Sequence, residues 1–482
     1  MGNRSIKQQT FKGIGWSAIE RFSIQGVSFV VQLILARLLT PSDYGIIGML
    51  AIFMQLAQVI IDSGFANALI RKQNCTQSDY STVFLYNLII SSVLYIVLFI
   101  TAPLVAKFYQ TSSLIPVMRW LTITLFFNAL SIIPKSILVK SINFKKQTYI
   151  SLFSALFSGI LGIILAIQGR GIWALVTQQI SLSICNFILY TLFVNWRPRF
   201  IFDKQIFKEL FSFGSKLLLS SIIGTIYRNL YTIFIGKKFS SADLGYYTRA
   251  DQFAMFPSNN IGNIITRVAY PIFAKVQNEN NRLRIYYQQI IRYSSFIIFP
   301  LMIGLLAISK PFVLFFLTEK WIGIVPILQI LCIDWMLDHI TLLNLNLLYV
   351  KGRSDLALKL EIIKKTIAIT ILLISIYWGV IGICWGRVLY SIIATLINTY
   401  YTKQLIQLSF MQQLKDIFPF LVISSIMGIC VVFCTLISTN SGVQLITGIL
   451  TGIIVYSLLS IIFFKGMLKE ILSLINQKKQ NN

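Results

Sequence analysis

Arg21, Gln25, Ser28 and Gln32 recur at spacings of three and four, which puts them on one face of a helix. Lys216, Ser220, Thr225, Arg228 and Thr232 form a second stripe, and a third stretch carries Arg249, Asp251, Gln252, Asn259, Asn263 and Arg267. Arg387 adds a cation deep in an apolar run. Guanidinium forks bind phosphate oxygens in paired hydrogen bonds, so cations gathered in this way suit an anionic, phosphate-bearing ligand. In the run CIDWMLDHI, Asp334 and Asp338 stand four apart with His339 beside them. Buried carboxylates of this kind can carry protons or bind Na⁺. Plainer readings exist for both sets. Arg21, Arg249 and Arg267 can snorkel from helix ends or pair with Glu20 and Asp251, and the two acids can bond neighbouring helices.

Little else in the chain offers chemistry. Cys75, Cys185, Cys332, Cys384, Cys430 and Cys434 show no paired-knuckle spacing and read as small packing residues. With a single histidine, a His-built metal site is excluded, and neither a metal nor a cofactor is expected.

The elements that must position these residues follow from composition. Of the 482 residues, 56% are hydrophobic and 12% charged, half the charge of a soluble domain, and mean hydropathy is +0.75. Apolar runs of about 20 residues recur along the chain, each long enough to cross roughly 30 Å of hydrocarbon. Lipid offers the backbone no hydrogen-bond partner, and the runs are too long and uniform for barrel strands. The expected fold class is therefore an all-α integral membrane protein with about 14 transmembrane helices. The first span, near residues 11–39, reads as a retained anchor because no cleavage site follows it; the eighth lies near 242–270, the eleventh and twelfth near 356–378 and 380–402. A charge at mid-bilayer costs at least about 2.5 kcal/mol, so the polar stripes must meet a cavity or a partner.

Net charge is +26, but the basic residues are distributed by connection. Alternate connections hold Arg71 and Lys72, Lys140 to Lys146, Arg197 to Lys208, Lys275 to Arg284, Lys351 and Arg353, and Lys403 and Lys415. Positive charge stays inside, which predicts that both termini are cytoplasmic and makes the basic balance topology, not nucleic-acid binding. Every connection is short, so no soluble domain is expected and the chain does not read as an enzyme.

LTPSDYG at Leu39–Gly45 returns as FSSADLG at Phe239–Gly245, an offset of 200 residues. Pro103-Leu104-Val105 similarly matches Pro311-Phe312-Val313, and Gly171-Ile172 matches Gly382-Ile383. This predicts two pseudo-symmetric six-helix lobes, residues 1–205 and 206–410, with two additional helices and a cytoplasmic tail in 411–482. A cationic groove separating the lobes would be lined by the stripes that begin at Arg21 and Lys216.

LARLLTPSDYGIIGM at Leu35–Met49, DSGFANALI at Asp62–Ile70, GIWALV at Gly171–Val176 and YYTRADQF at Tyr246–Phe253 resemble the Wzx-like polysaccharide flippases. These belong to the multidrug/oligosaccharidyl-lipid/polysaccharide exporter superfamily, and the likeness runs from about residue 10 to 465. The resemblance implies a transporter in the bacterial inner membrane that flips undecaprenyl-pyrophosphate-linked oligosaccharide to the periplasmic leaflet, for O-antigen, capsule or exopolysaccharide synthesis. Its partners would be that lipid-linked oligosaccharide, membrane lipids, and the glycosyltransferases, polymerase and export machinery of the same pathway. Three alternatives stand beside it. A multidrug or cation exporter should place acids in its cavity, a flippase for lipid-linked peptidoglycan precursor would share the mechanism, and a membrane polymerase or glycosyltransferase should carry long external loops.

Overall fold

The computed structural model describes residues 23–141 and 143–469. Arg21 and Glu20 lie outside the described residues, as does the side chain of Lys216. The chain divides into two compact units, 1–245 and 246–482.

In the first unit, the helices are α1 (Ser23–Leu38), α2 (Pro41–Asp62), α3 (Phe65–Arg71), α4 (Gln77–Tyr109), α5 (Leu114–Leu121) and α6 (Ile123–Lys140). They continue with α7 (Phe144–Ile167), α8 (Ile172–Phe193) and α9 (Lys204–Lys238). The division falls near the start of α10 (Ser241–Lys275). The second unit adds α11 (Asn280–Ala307), α12 (Ser309–Phe316), α13 (Ile324–Val350), α14 (Ser354–Ser375), α15 (Gly379–Ile406), α16 (Phe410–Thr435) and α17 (Ser441–Phe463). No strand occurs among the described residues.

Eleven helical stretches among the described residues are long and apolar enough to cross a membrane. The helical membrane fold agrees with the sequence, and the difference from about fourteen has three sources. Ser354–Ile406 counts as one stretch of 53 residues but turns at the 3-10 segment Ile376–Trp378, giving α14 and α15. The helix α10 carries too many polar residues to qualify, and only Ser23–Leu38 of the first span is described.

The repeated motif has a local cause. Thr40 caps α2 by accepting the Asp43 amide at 3.4 Å while Asp43 Oδ2 accepts the Thr40 amide at 2.9 Å, and Ser240 caps α10 in the same way, accepting the Asp243 amide at 3.1 Å while Asp243 Oδ2 accepts the Ser240 amide at 3.2 Å. The two starts meet: Ser42 and Ser241 hydroxyls are 2.6 Å apart. A methyl at Gly45 would overlap the Ser241 carbonyl and one at Gly245 the Pro41 carbonyl, so the motif keeps glycine for backbone approach.

The break after α2 is equally local. Ser63 (φ 44°) and Gly64 (φ 71°) both adopt left-handed backbone, and Gly214 of α9 abuts the Ser63 carbonyl too closely for any side chain. Phe65, Leu69, Phe84, Ile133 and Leu210 pack around this break as one buried cluster. In the second unit α11 packs on α16, α13 on α15, and α16 on α17, around buried Tyr287, Phe299, Trp321 and Leu331.

Candidate functional site

Three helices of the second unit each deliver one charged group to a common point. Asp251 of α10 and Asp334 of α13 lie about 15 Å along their helices at 1.5 Å per residue, and Arg387 lies about 12 Å along α15. Arg387 Nη1 donates to Asp251 Oδ1 at 2.8 Å and to the Tyr247 hydroxyl at 2.7 Å. Its Nη2 pairs with Asp334 Oδ2 at 2.6 Å. The remaining lone pairs are taken up as well: Trp335 Nε1 donates to Asp251 Oδ1 at 2.9 Å, and the Ser391 hydroxyl donates to Asp334 Oδ1. The guanidinium also lies against the Trp335 ring, 5.8 Å from its centroid. With 12% of the Arg387 side chain exposed and 8% of Asp334, these charges are held at membrane depth only because each is paired and hydrogen-bonded.

Asp338 sits one helical turn beyond Asp334 on the same face of α13. It is partly buried, makes no hydrogen bond among the described residues, and has Asp334, Arg387 and Lys364 as charged neighbours. His339 is a packing group: Nδ1 lies 2.9 Å from the Met336 carbonyl and so carries the proton, leaving Nε2 to accept from the Ser295 hydroxyl at 3.1 Å.

The rest of the polar stretch of α10 is looser. Arg249 Nη1 donates to Gln252 Oε1 at 2.6 Å, Asn263 donates to Asn259 at 2.5 Å, and Arg267 is exposed. In the first unit, Gln25 and Gln32 of α1 are half-buried. The exposed Arg228 of α9 donates to the Thr225 hydroxyl at 3.1 Å. Its neighbour Asn229 bonds Gln55 of α2 at 2.9 Å, and Asn128 of α6 bonds Gln58 at 3.1 Å.

Of the sequence candidates, the structure thus joins Arg387 with Asp334 and Arg249 with Gln252. The sequence reading allows Arg249 or Arg267 to pair with Asp251, whereas the ion pair forms with Arg387 from a helix far along the chain. Several charged residues escape the sequence reading, Lys364 and Lys135 among them. Lys364 of α14 is 3% exposed and pairs with Glu361 at 2.5 Å; its signal is a lysine on the buried stripe Ala357, Leu360, Lys364, Ala368 and Leu372. Lys135 of α6 shares a cavity of about 290 Å³ with Asp62, Gln58 and Ser136 at the α2–α3 break. Asp62 also accepts the Ala66 amide at 3.4 Å across the break. No group of metal ligands occurs among the described residues.

The family described as polysaccharide biosynthesis protein matches residues 34–326. The chain belongs to this family. The resemblance to the Wzx-like polysaccharide proteins is thereby borne out. The teichuronic acid biosynthesis protein TuaB of Bacillus subtilis (strain 168) is 29% identical over 429 residues, 88% of this chain and 89% of that protein. The lipopolysaccharide biosynthesis protein WzxC of Escherichia coli (strain K12) is 26% identical over 445 residues, with the same two coverages. Among solved structures, the lipid II flippase MurJ in an inward closed conformation superposes with a TM-score of 0.76 at 17% identity, over 94% of this chain and 100% of that one. This member of the polysaccharide biosynthesis family is a multi-pass membrane protein with the flippase fold.

Proposed function

We propose that the protein flips an undecaprenyl-pyrophosphate-linked oligosaccharide from the cytoplasmic to the periplasmic leaflet for O-antigen, capsule or exopolysaccharide synthesis. The observation that carries this reading is α10. It is 35 residues long, about 50 Å at helical rise, yet it holds Arg249, Asp251, Gln252, Asn259, Asn263 and Arg267 among otherwise apolar spans. A helix of that length and polarity is stable at membrane depth only beside water, partners or cargo. Family membership, and relatives named for teichuronic acid and lipopolysaccharide biosynthesis, make the cargo a lipid-linked polysaccharide precursor.

In this reading the phosphates meet cations: Arg21, Lys216 and Arg228 in the first half of the chain, Arg249 and Arg267 on α10. Gln25, Gln32, Gln252 and Asn263 bond the sugar hydroxyls. Arg387 works differently from the other cations, because two carboxylates already hold it. Counting Asp338, three acids surround that one guanidinium, an excess that suits a coupling cation more than an anionic cargo. Asp334 and Asp338 are then the proton or Na⁺ groups, and Arg387 is their counter-ion. Lobes 1–205 and 206–410 alternate access, residues 411–482 are appended, and both termini are cytoplasmic in the bacterial inner membrane. The glycosyltransferases, polymerase and export machinery of the pathway supply and consume the cargo.

The test is reconstitution. Vesicles holding the purified protein and a fluorescent polyprenyl-pyrophosphate oligosaccharide should expose the sugar to an external lectin faster than protein-free vesicles. Equal rates with and without protein, while a labelled cationic drug is exported, would transfer the assignment to the drug-exporter branch of the superfamily.

A further inference from the structure

The appended helix α16 makes an ionic joint with α11 whose purpose is not packing alone. Asp416, with 5% of its side chain exposed, accepts from Arg292 Nε at 2.9 Å and from Gln288 at 2.7 Å, and its ion pair is completed by Arg292 Nη2. One turn earlier, buried Gln413 accepts from the Tyr287 hydroxyl at 3.2 Å. Both carboxylate oxygens of Asp416 are therefore committed, and the Arg292 guanidinium is fixed in one orientation. Its Nη1 makes no hydrogen bond among the described residues, and the side chain is 51% exposed.

That fixed guanidinium stands at a cavity of about 420 Å³ whose lining also includes Gln289, Lys415, Phe420, Phe464 and Met467. The cavity has two kinds of wall. Arg292, Lys415 and Gln289 supply donors, and Lys415 has no acidic partner among the described residues. Phe420 and Phe464 supply an apolar wall, their ring centroids 4.5 Å apart, with Phe296 packed against both. The donors lie where α16 begins and α17 ends: the apolar run of α17 stops at Phe463, and Lys465 and Lys469 follow. Cations beside aromatic rings at the point where an apolar span gives way to charge are the setting of a membrane-surface head group.

We propose that this cavity binds the phosphodiester head group of an anionic glycerophospholipid, with Arg292 and Lys415 on the phosphate and the glycerol end against Phe420 and Phe464. The volume is within the range of small-ligand sites, roughly 300 to 1,000 Å³, and the local charge, two cations against one carboxylate, favours an anion. The bound lipid bridges α11, α16 and α17 and so couples the seating of the appended helices to the lipid composition of the leaflet. This goes beyond the transport reading and is read out without transport.

The full-length protein, purified into nanodiscs of phosphatidylcholine containing a minor share of phosphatidylglycerol, is released into native mass spectrometry and its retained lipids are counted. Wild type should retain phosphatidylglycerol in preference to phosphatidylcholine. R292A/K415A should lose that preference by about tenfold or more, the size expected of two interfacial cations. Because Arg292 holds Asp416, the double variant can fail to fold; K415A alone breaks no described bond and should still lose about half of the effect on a logarithmic scale. Equal retention of the two lipids by wild type, or unchanged preference in K415A, overturns the proposal. Displacement of the lipid by millimolar inorganic phosphate, with phosphate itself retained, also overturns it and assigns the cavity to a soluble anion.

Discussion

In the first unit the polar side chains that join helices at membrane depth do so as neutral amides, Gln55 with Asn229 and Gln58 with Asn128. In the second unit full charges do the same work, Arg387 with Asp251 and Asp334. The two solutions differ in cost. A neutral interhelical hydrogen bond is worth about 0.6 kcal/mol on average and leaves little behind when cut. A buried ion pair gains little over an apolar substitute, yet removing one partner strands an uncompensated charge. Packing alone has no need of the second arrangement, and the Arg387 triad marks where the second unit holds charge for a purpose.

The comparison is broken first at Arg387. Arg387→Ala strands Asp251 and Asp334 together and should cost about 3–5 kcal/mol, seen as a large fall in melting temperature in detergent and in monodisperse yield. Replacing all three groups together, R387M/D251L/D334L, should recover most of that stability while leaving transport absent. Wild-type stability in R387A would show that the triad is slack and the contrast between units unreal. Asn229→Leu comes next, with an expected loss of about 0.6 to 1.7 kcal/mol by the same melt; a loss as large as that of R387A would erase the distinction. Asp338→Asn should be smaller still and can raise stability, since it removes a charge with like-charged Asp334 beside it. Its signature is in transport, which should continue downhill but cease to follow an imposed proton or Na⁺ gradient.

The particular residues also show what a sequence can carry. The helical membrane fold, the caps at Thr40 and Ser240 and the acids of α13 all follow from local composition and spacing. Helical periodicity reports which residues share a face; it says nothing of which other helix that face meets. Asp251 therefore looks like a partner for the cations of its own stretch, although Arg387 reaches it from α15. Lys364 is hidden for a related reason. In a run such as EIIKKTIAI the neighbouring lysines look alike, and only the packed stripe on α14 distinguishes the buried one. The cavity beside Arg292 is built from α11, α16 and the segment that follows α17, with residues that span 289 to 467, so no window of sequence contains it.

The smallest expected effect on the fold sharpens the comparison most. Arg228 belongs to the unit of neutral pairs, is exposed, and makes one hydrogen bond among the described residues, to Thr225 on its own helix. It has no acidic partner among the described residues. Arg228→Ala should change stability by no more than about 0.5 kcal/mol, the ordinary range for an exposed position. If the arginine serves only to reach the membrane surface, transport should be equally indifferent. If it binds the pyrophosphate, flipping should fall by about tenfold or more, the worth of one charge-assisted hydrogen bond, and Arg228→Lys should restore part of the rate because the charge remains while the paired geometry is lost. A charge whose removal leaves the fold intact and stops the cargo is not there for packing. Full flipping by R228A would leave the phosphate-binding role to the cations of α10, and the two units would then differ in function as well as in the way they bond their helices.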